Sequence, residues 1–408
     1  MPKLTRSKTI PKRVGFLYEQ MLDKQSIKLC ILRGIENKSK DRPDVKIVIE
    51  NIDAAVEIIY LVLANYNYTP TPPYTVRIND NSSGKPRDIA IQPFDYDGII
   101  HLCEAGVLIP VIMRGMHKWC CASVPTRGGK YMLDRNKEIV QRHPKNSKYV
   151  AVIDVKKFYP SIPQKRLIAA LERKIKDKKF ILLLAVTMAC YEPGLKYAIE
   201  HNLSPYDIVG DKIGLHIGFV TSQWEGNYYL EPLDRFILSL DGVKAETRYM
   251  DNIYIYARNK RKLHRALDAI RVFLDAELGL RIKEDWQIFP INARPVSTVG
   301  FRIYRDHVDI KPQNFLRIKR QSGRIQKKIN NHIPIPPQQA ASFLGKTACL
   351  KFCDSQKVKE KYVYPIGINR LKKIISDDAK RKNKERQQHD NQRRDKPEDR
   401  GDKRNLRD

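Results

Sequence analysis

The stretch Tyr149-Val150-Ala151-Val152-Ile153 constrains the fold more than any other. Five consecutive apolar residues, three of them β-branched, suit a central strand buried on both faces. It ends on an acid, Asp154. About a hundred residues later, Tyr249-Met250-Asp251-Asn252-Ile253-Tyr254-Ile255-Tyr256 reads as two extended arms around an Asp-Asn turn. Asp and Asn tolerate the positive φ angles of a tight hairpin. Strand ends and tight turns are where a rigid scaffold can aim two carboxylates at one point. Taken alone, an Asp at a strand end is more often a turn former or a helix cap.

The chain has 408 residues, 76 Lys plus Arg and 46 Asp plus Glu, for a net charge of +30. That balance implies a polyanionic partner, with nucleic acid ahead of an anionic membrane. The segment from Asp377 to Asp408 holds 12 basic and 9 acidic residues, with only Ala379 and Leu406 apolar. Such a segment cannot offset its ordering entropy by burial, so a disordered tail is expected. Its net charge is only +3, which leaves +27 on the body. The longest uncharged apolar run, Phe180 to Tyr191, has 12 residues and is too short to cross a bilayer. The basic N-terminus lacks the apolar stretch of a secretory signal. The seven cysteines, at 30, 103, 120, 121, 190, 349 and 353, include no CxxC pair. A reducing cytoplasm is the expected setting. Cys349 and Cys353 are read as small hydrophobes on a helix, not as metal ligands.

Helix is expected across most of 15–66, with a break near Pro43, and again over 96–121. Pro70, Pro72, Pro73, Pro86 and Pro93 leave short extended pieces between 67 and 93, with a turn cluster from Asn79 to Gly84. Leu263, Leu267, Ile270, Phe273, Leu274 and Leu278 keep helical spacing, and Gly279 supplies the C-terminal cap. Residues 299–310 read as another hairpin, and past 313 the chain is basic and helical, with a break at Pro334, Pro336 and Pro337.

Several motifs resemble those of reverse transcriptases. Asp154-Val155-Lys156-Lys157-Phe158-Tyr159-Pro160-Ser161-Ile162 is similar to the family's first catalytic motif. Tyr249-Met250-Asp251-Asn252 stands where the family has its Tyr-x-Asp-Asp box. Gly214 to Gln223 resembles the motif that opens the helix under the incoming nucleotide, and Val299-Gly300-Phe301 the primer-grip hairpin. Gly84-Lys85-Pro86-Arg87 and Gln92 to His101 resemble the fingers motifs, and Phe343-Leu344-Gly345 with Phe352 to Ser355 a thumb segment. The resemblance runs over roughly residues 80–365 in the family's order. The form Ile-Gly-x-x-x-Ser-Gln, with Ile217 and Gln223 in place of Gln and Pro, most resembles the enzymes of diversity-generating retroelements.

This resemblance implies an α+β, right-handed polymerase fold with an antiparallel palm sheet. The implied division is a helical extension at 1–66, fingers at 67–148, palm at 149–310, thumb at 311–376 and the tail at 377–408. It implies RNA-directed DNA polymerisation, error-prone at template adenines, with an RNA template, a DNA primer, dNTPs and a small basic accessory protein. No membrane partner is expected, and the setting would be the cytoplasm of a bacterial or phage-infected cell. Asp154 and Asp251, aided by the Val155 carbonyl, would hold two Mg²⁺ ions, with Mn²⁺ as a substitute; such pairs serve in-line phosphoryl transfer. Lys85, Arg87, Phe158, Tyr159, Ile217, Gly218, Gln223 and Lys283 would line the nucleotide site, with Tyr159 as the gate against a 2′-hydroxyl. Gly300 and Phe301 would grip the primer. Basic residues at 317, 319, 320, 324, 327 and 328 would meet backbone phosphates. Asn252 replaces the family's second Asp; an amide keeps an oxygen but loses a charge. Retron-like, group II intron-like and phage-defence enzymes, or a non-catalytic RNA-binding relative, remain alternatives.

Overall fold

The computed structural model describes residues 13–36, 38–79 and 86–394. The chain divides into two compact units, with the boundary between Arg294 and Pro295.

The first unit opens with helices Leu17–Met21, Lys24–Glu36, Pro43–Glu50 and Ile52–Ala64. Pro43 does not merely interrupt helix; it starts one at the first helical position, where its missing N–H costs nothing. Val45, Val48, Val56, Ile59 and Leu63 turn inward. Strand β1 (Tyr74–Asn79) then pairs antiparallel with β2 (Pro86–Ile91). The turn cluster between them lies outside the described residues apart from Asn79.

A helical stretch from Phe94 to Met113 follows, shorter than the 96–121 expected. Its 20 residues have the length and mean hydropathy, 1.5, of a membrane span. Acids at 95, 97 and 104 hide it from a search for uncharged runs. Ile99, Ile100, Leu108 and Ile112 are buried in the protein core. A second apolar helix, Lys178–Ala189, is buried from Phe180 to Ala189.

The central sheet contains β3 (Tyr149–Asp154), β4 (Val243–Tyr249), β5 (Asn252–Ala257) and β6 (Gln287–Pro290). Their order is β4-β5-β3-β6, and every pairing is antiparallel. The expected strand β3 is thus an interior one, with Val150, Ala151 and Ile153 buried. Helix Lys260–Phe273 continues through one π-type turn to Leu278, and Gly279 closes it at φ +63°. The β4–β5 hairpin departs from expectation by one residue. Asn252 already belongs to β5 and pairs with both Tyr249 and Asp154, so Met250 and Asp251 form the tip. The positive φ, +55°, therefore falls on Met250.

In the second unit, β7 (Val296–Thr298), β8 (Phe301–Ile303) and β9 (Val308–Ile310) form a three-stranded antiparallel meander. These strands, within the 149–310 span expected for the palm, share a compact unit with the helices that follow. Asp354 fixes β9 there, accepting from Val308 N and donating to Val308 O, both at 2.8 Å. Helices Pro312–Asn330 and Pro337–Thr347 follow. Ile318, Ile325, Phe343, Leu350 and Leu371 form a separate core. Cys349 lies in the 3-10 turn Ala348–Phe352 and Cys353 just beyond it; both are half-buried. The last helix runs from Ile368 to Arg394, so residues 377–394 of the expected disordered tail are helical. Asp378 pairs with Arg381 and Lys382, each at 2.9 Å, the i,i+3 and i,i+4 contacts that support an exposed helix. Residues 395–408 lie outside the described residues.

Candidate active site

The sheet register brings the two acids together. Asp154 ends β3 directly opposite Asn252, the residue after Asp251. Val155 N donates to Asp251 O at 3.3 Å, tying the strand end to the hairpin tip. Burial, and next the Asp154 charge, push the Asp251 carboxyl up to about 6. Asn252 Nδ2 donates to Asp251 Oδ1 at 3.4 Å.

Lys283 reaches the same point by backbone pairing. Lys156 N donates to Arg281 O and Lys283 N to Asp154 O, both at 2.8 Å. Lys283 Nζ then lies 2.6 Å from Asp154 Oδ1. That buried oxygen makes no aligned hydrogen bond, so the lysine charge is its partner. The expected lysine therefore sits on the carboxylate.

Phe158 is buried and Tyr159 half-buried, their ring centroids 5.0 Å apart. They open the short helix Phe158–Ser161, entered through Lys157 at φ +45°. Tyr159 OH points to Met250 Sδ at 3.7 Å. Its phenol is pushed up to about 12 by burial, then by the Asp251 charge, with Arg248 and Arg87 opposing. Arg87, on β2, is thus within electrostatic reach of the site. A β-carbon at Gly226 would approach Tyr159 Cε1 to 3.0 Å, so the glycine leaves room for the ring.

Ile217 is half-buried and does more than pack. Its carbonyl accepts from Ala90 N at 2.7 Å, joining this loop to β2. Gly218 is what allows the approach: at φ +123°, a β-carbon there would lie 2.2 Å from Ala90 O. Gln223 lies in the first turn of the helix Ser222–Tyr229 and takes a 3.4 Å hydrogen bond from Ser123 Oγ. A cavity of about 470 Å³ runs past Gly218 and Gln223, with Arg33, Lys38 and Arg42 among its lining residues. Lys85 lies outside the described residues. Gly300 and Phe301 lie in the second unit, at the β7–β8 turn, where Val299 and Gly300 take φ +36° and +93°. Arg317, Arg320 and Arg324 line one groove of about 560 Å³ with Lys346.

The sequence reading missed Arg248, which is wholly buried and ion-paired to Asp234 with Nε–Oδ1 2.5 Å. It also missed Ser123. The only signal for Arg248 was its place two positions before the tip, on a strand whose Lys244, Glu246 and Thr247 make it look solvent-facing.

Among the described residues, no cluster of three or more His, Cys, Asp or Glu forms a ready-made cage for a metal. The donors present are hard oxygens: two adjacent carboxylates and main-chain carbonyls. Mg²⁺ is commonly bound in that way, by one or two carboxylates plus substrate phosphates. The residues therefore fit such an ion.

Residues 80–303, more than half of the chain, match the family Reverse transcriptase (RNA-dependent DNA polymerase). The chain belongs to that family, and with its antiparallel palm sheet and surrounding helices it has an α+β polymerase fold. Over 96 residues it is 38% identical to an uncharacterized 91 kDa protein in the cob intron of Schizosaccharomyces pombe, a match covering 24% of this chain and 10% of that protein. It is similar in structure to apo telomerase from Candida tropicalis, at 14% identity and a TM-score of 0.40, over 61% of this chain and 49% of the other. The same telomerase truncated from its C-terminal domain gives 13% identity and a TM-score of 0.42, over 60% and 55%. The chain thus spans a tenth of the intron protein and about half of each telomerase chain.

Proposed function

We propose that this protein is an RNA-directed DNA polymerase that extends a primer 3′-hydroxyl with dNTPs on an RNA template. The observation that carries the reading is the meeting of Asp154, at a buried strand end, with Asp251, at the adjoining hairpin tip. Asp154, Asp251 and the Val155 carbonyl would hold two Mg²⁺ ions, or Mn²⁺. Bound there, these supply acidity to the 3′-hydroxyl and neutralise charge on the triphosphate and leaving pyrophosphate. Tyr159 lies against Met250 at the tip and excludes a ribose 2′-hydroxyl. Arg87, together with Lys85, holds the triphosphate. Gly300 and Phe301 steady the primer, and the thumb arginines bind backbone phosphates without reading sequence. Primer extension on RNA tests this: Asp154→Ala and Asp251→Ala should each abolish synthesis while RNA binding persists. Normal extension by either variant would remove these residues from the site.

The setting we favour is a diversity-generating retroelement, with frequent misincorporation opposite template adenine and a small basic accessory protein as partner. Its support is the Ile217 and Gln223 pair. Ile217 offers no amide to sense base-pair geometry, and each 1.4 kcal/mol of lost discrimination is about tenfold in error rate. Sequencing cDNA from the natural enzyme and from Ile217→Gln on one RNA tests it; fewer adenine errors are expected in the variant. Accurate copying of adenine by the natural enzyme would instead favour an intron-type element, the reading that the 38% identity to a protein in a cob intron supports.

A further inference from the structure

Met250 immediately precedes Asp251 and holds a left-handed backbone conformation, φ +55°. Residues with a β-carbon disfavour that region, because the β-carbon crowds the following carbonyl. Such a conformation persists only where surrounding structure dictates it. The group in contact with the Met250 carbonyl is Arg248, whose Nη1 donates to it at 3.1 Å.

Arg248 is held as tightly as an arginine can be. Its Nε and Nη2 fork onto Asp234, at 2.5 and 2.7 Å. Nη1 also donates to Asn227 Oδ1 at 2.7 Å, and Nη2 to Asn227 O at 3.3 Å. With the Met250 bond, all five guanidinium N–H groups have acceptors. Arg248, Asp234 and Asn227 are all 0% exposed. Its backbone is fixed too: Arg248 N donates to Trp119 O at 3.0 Å, and its carbonyl accepts from Cys121 N at 2.8 Å. Asn227 Nδ2 extends the network to Ala122 O at 2.8 Å. The Arg248 side chain therefore connects helix Ser222–Tyr229 and helix Glu231–Ser239 to the carbonyl before Asp251, while its backbone and Asn227 tie in the 119–122 segment.

A buried ion pair is a poor source of stability, because its desolvation cost offsets its attraction and apolar residues often fill the space as well. An apolar pair could not hold a carbonyl. We propose that Arg248 is a positioning residue: it locks the Met250 peptide in the left-handed conformation and so aims the Asp251 carboxylate at the reacting centre. The inference rests on the assignment of Asp251 to the active site. A lysine cannot replace the fork, since it offers one point charge in place of a planar donor array.

The test uses the full-length protein with two changes, Arg248→Lys, and Arg248→Gln combined with Asp234→Asn, which removes both buried charges together. Circular dichroism and melting select the folded variants. Two readouts follow. Hydrogen exchange at the 250–252 amides should accelerate at least tenfold, with helix Lys260–Phe273 unchanged. Mn²⁺ binding, followed by electron paramagnetic resonance without turnover, should weaken about tenfold, with kcat falling by more than KM for dNTP rises. Adding Met250→Gly to Arg248→Lys should restore part of the Mn²⁺ affinity, because glycine takes positive φ freely. Folded variants with unchanged tip exchange and Mn²⁺ affinity would overturn the proposal. So would failure of both variants to fold, which would assign Arg248 to stability alone. Full activity of Asp251→Ala would instead sink the active-site assignment, and the exchange readout would still decide whether Arg248 locks the tip.

Discussion

Lys283 Nζ lies 2.6 Å from Asp154 Oδ1, on the carboxylate that the proposed chemistry assigns to a metal. The side chains are partly exposed, at 39% and 26%. A pair so exposed is worth only about 0.5–1 kcal/mol. The lysine and a divalent cation compete for one oxygen. Lys283→Met should therefore bind Mg²⁺ about two- to fivefold more tightly in the absence of nucleotide. It should also turn over more slowly, having lost a cation beside the reacting phosphates. Calorimetric titration and single-turnover extension measure the two effects. Unchanged Mg²⁺ affinity would mean that the pair is incidental.

Asp251 makes the site's cost visible in stability. Its carboxyl titrates at about 6 in the folded protein, above its ordinary value of 3.8, because of burial and the neighbouring Asp154 charge. Between those two values the folded state binds more protons than the unfolded one, so stability falls as pH rises through that window. Asp251→Asn removes the charge. At pH 8 in chelator it should be more stable than the natural protein, on the order of 1 kcal/mol, with the gain gone below pH 4. Added Mg²⁺ should raise the melting temperature of the natural protein but not of the variant. A variant that melts lower at pH 8 contradicts this.

What was legible in the sequence is what local pattern dictates. Strand β3 was readable because a strand flanked on both edges needs contiguous apolar residues, and helix 260–278 because its apolar stripe and Gly279 cap are local. The hairpin tip was misplaced because Asp251-Asn252 is the better local turn. The pairing of Asn252 with Asp154 and Tyr249 overrides that preference and moves the tip to Met250 and Asp251, with the positive φ on Met250. Glu246, Thr247 and Arg248 look like an exposed polar strand, yet all three are buried. Two of them find partners from elsewhere in the chain: Asn136 for Thr247, and Asp234 for Arg248. The hairpin at 299–310 was legible as β8 and β9, but β7, at Val296–Thr298, was not, and the tie of β9 to Asp354 is one that no local pattern connects to Val308.

A second acid gives a pH signature away from the Asp154–Asp251 pair. Glu225, on helix Ser222–Tyr229, is pushed up to about 8 by burial, with a Thr221 hydrogen bond opposing. Its neighbour Glu104 is also raised well above the ordinary range, first by burial, with a hydrogen bond from Thr187 Oγ1 at 2.5 Å opposing and the Glu225 charge adding. The folded value exceeds the unfolded 4.5, so this group too makes stability fall with rising pH, from 4.5 to about 8. Glu225→Gln should flatten that decline and add about 1–3 kcal/mol at pH 9. Melting curves from pH 5 to 9 decide it; parallel curves for the two proteins would mean that Glu225 does not titrate in this range.

The loop after Leu215 supports a prediction that separates backbone geometry from side-chain chemistry. Ile217 O holds Ala90 N at 2.7 Å, and β2, which carries Ala90, also carries Arg87. A β-carbon at Gly218 would sit 2.2 Å from Ala90 O and 2.9 Å from Ile89 Cγ2. Backbone cannot yield as a flexible side chain can, so Gly218→Ala must push β2 away or twist the loop. The change also places alanine at φ +123°, which a β-carbon disfavours. The expected loss is about 1–3 kcal/mol of stability. Because Arg87 moves with β2, KM for dNTP should rise by roughly tenfold, about 1.4 kcal/mol of lost binding. Gly323 is the control. It lies inside helix Pro312–Asn330 with nothing within 4 Å of a β-carbon. Gly323→Ala should therefore gain about 0.5–1 kcal/mol through helix propensity and leave KM unchanged. If Gly218→Ala keeps a normal KM while losing stability, the contact between loop and strand serves the fold alone and Arg87 does not reach the nucleotide through it.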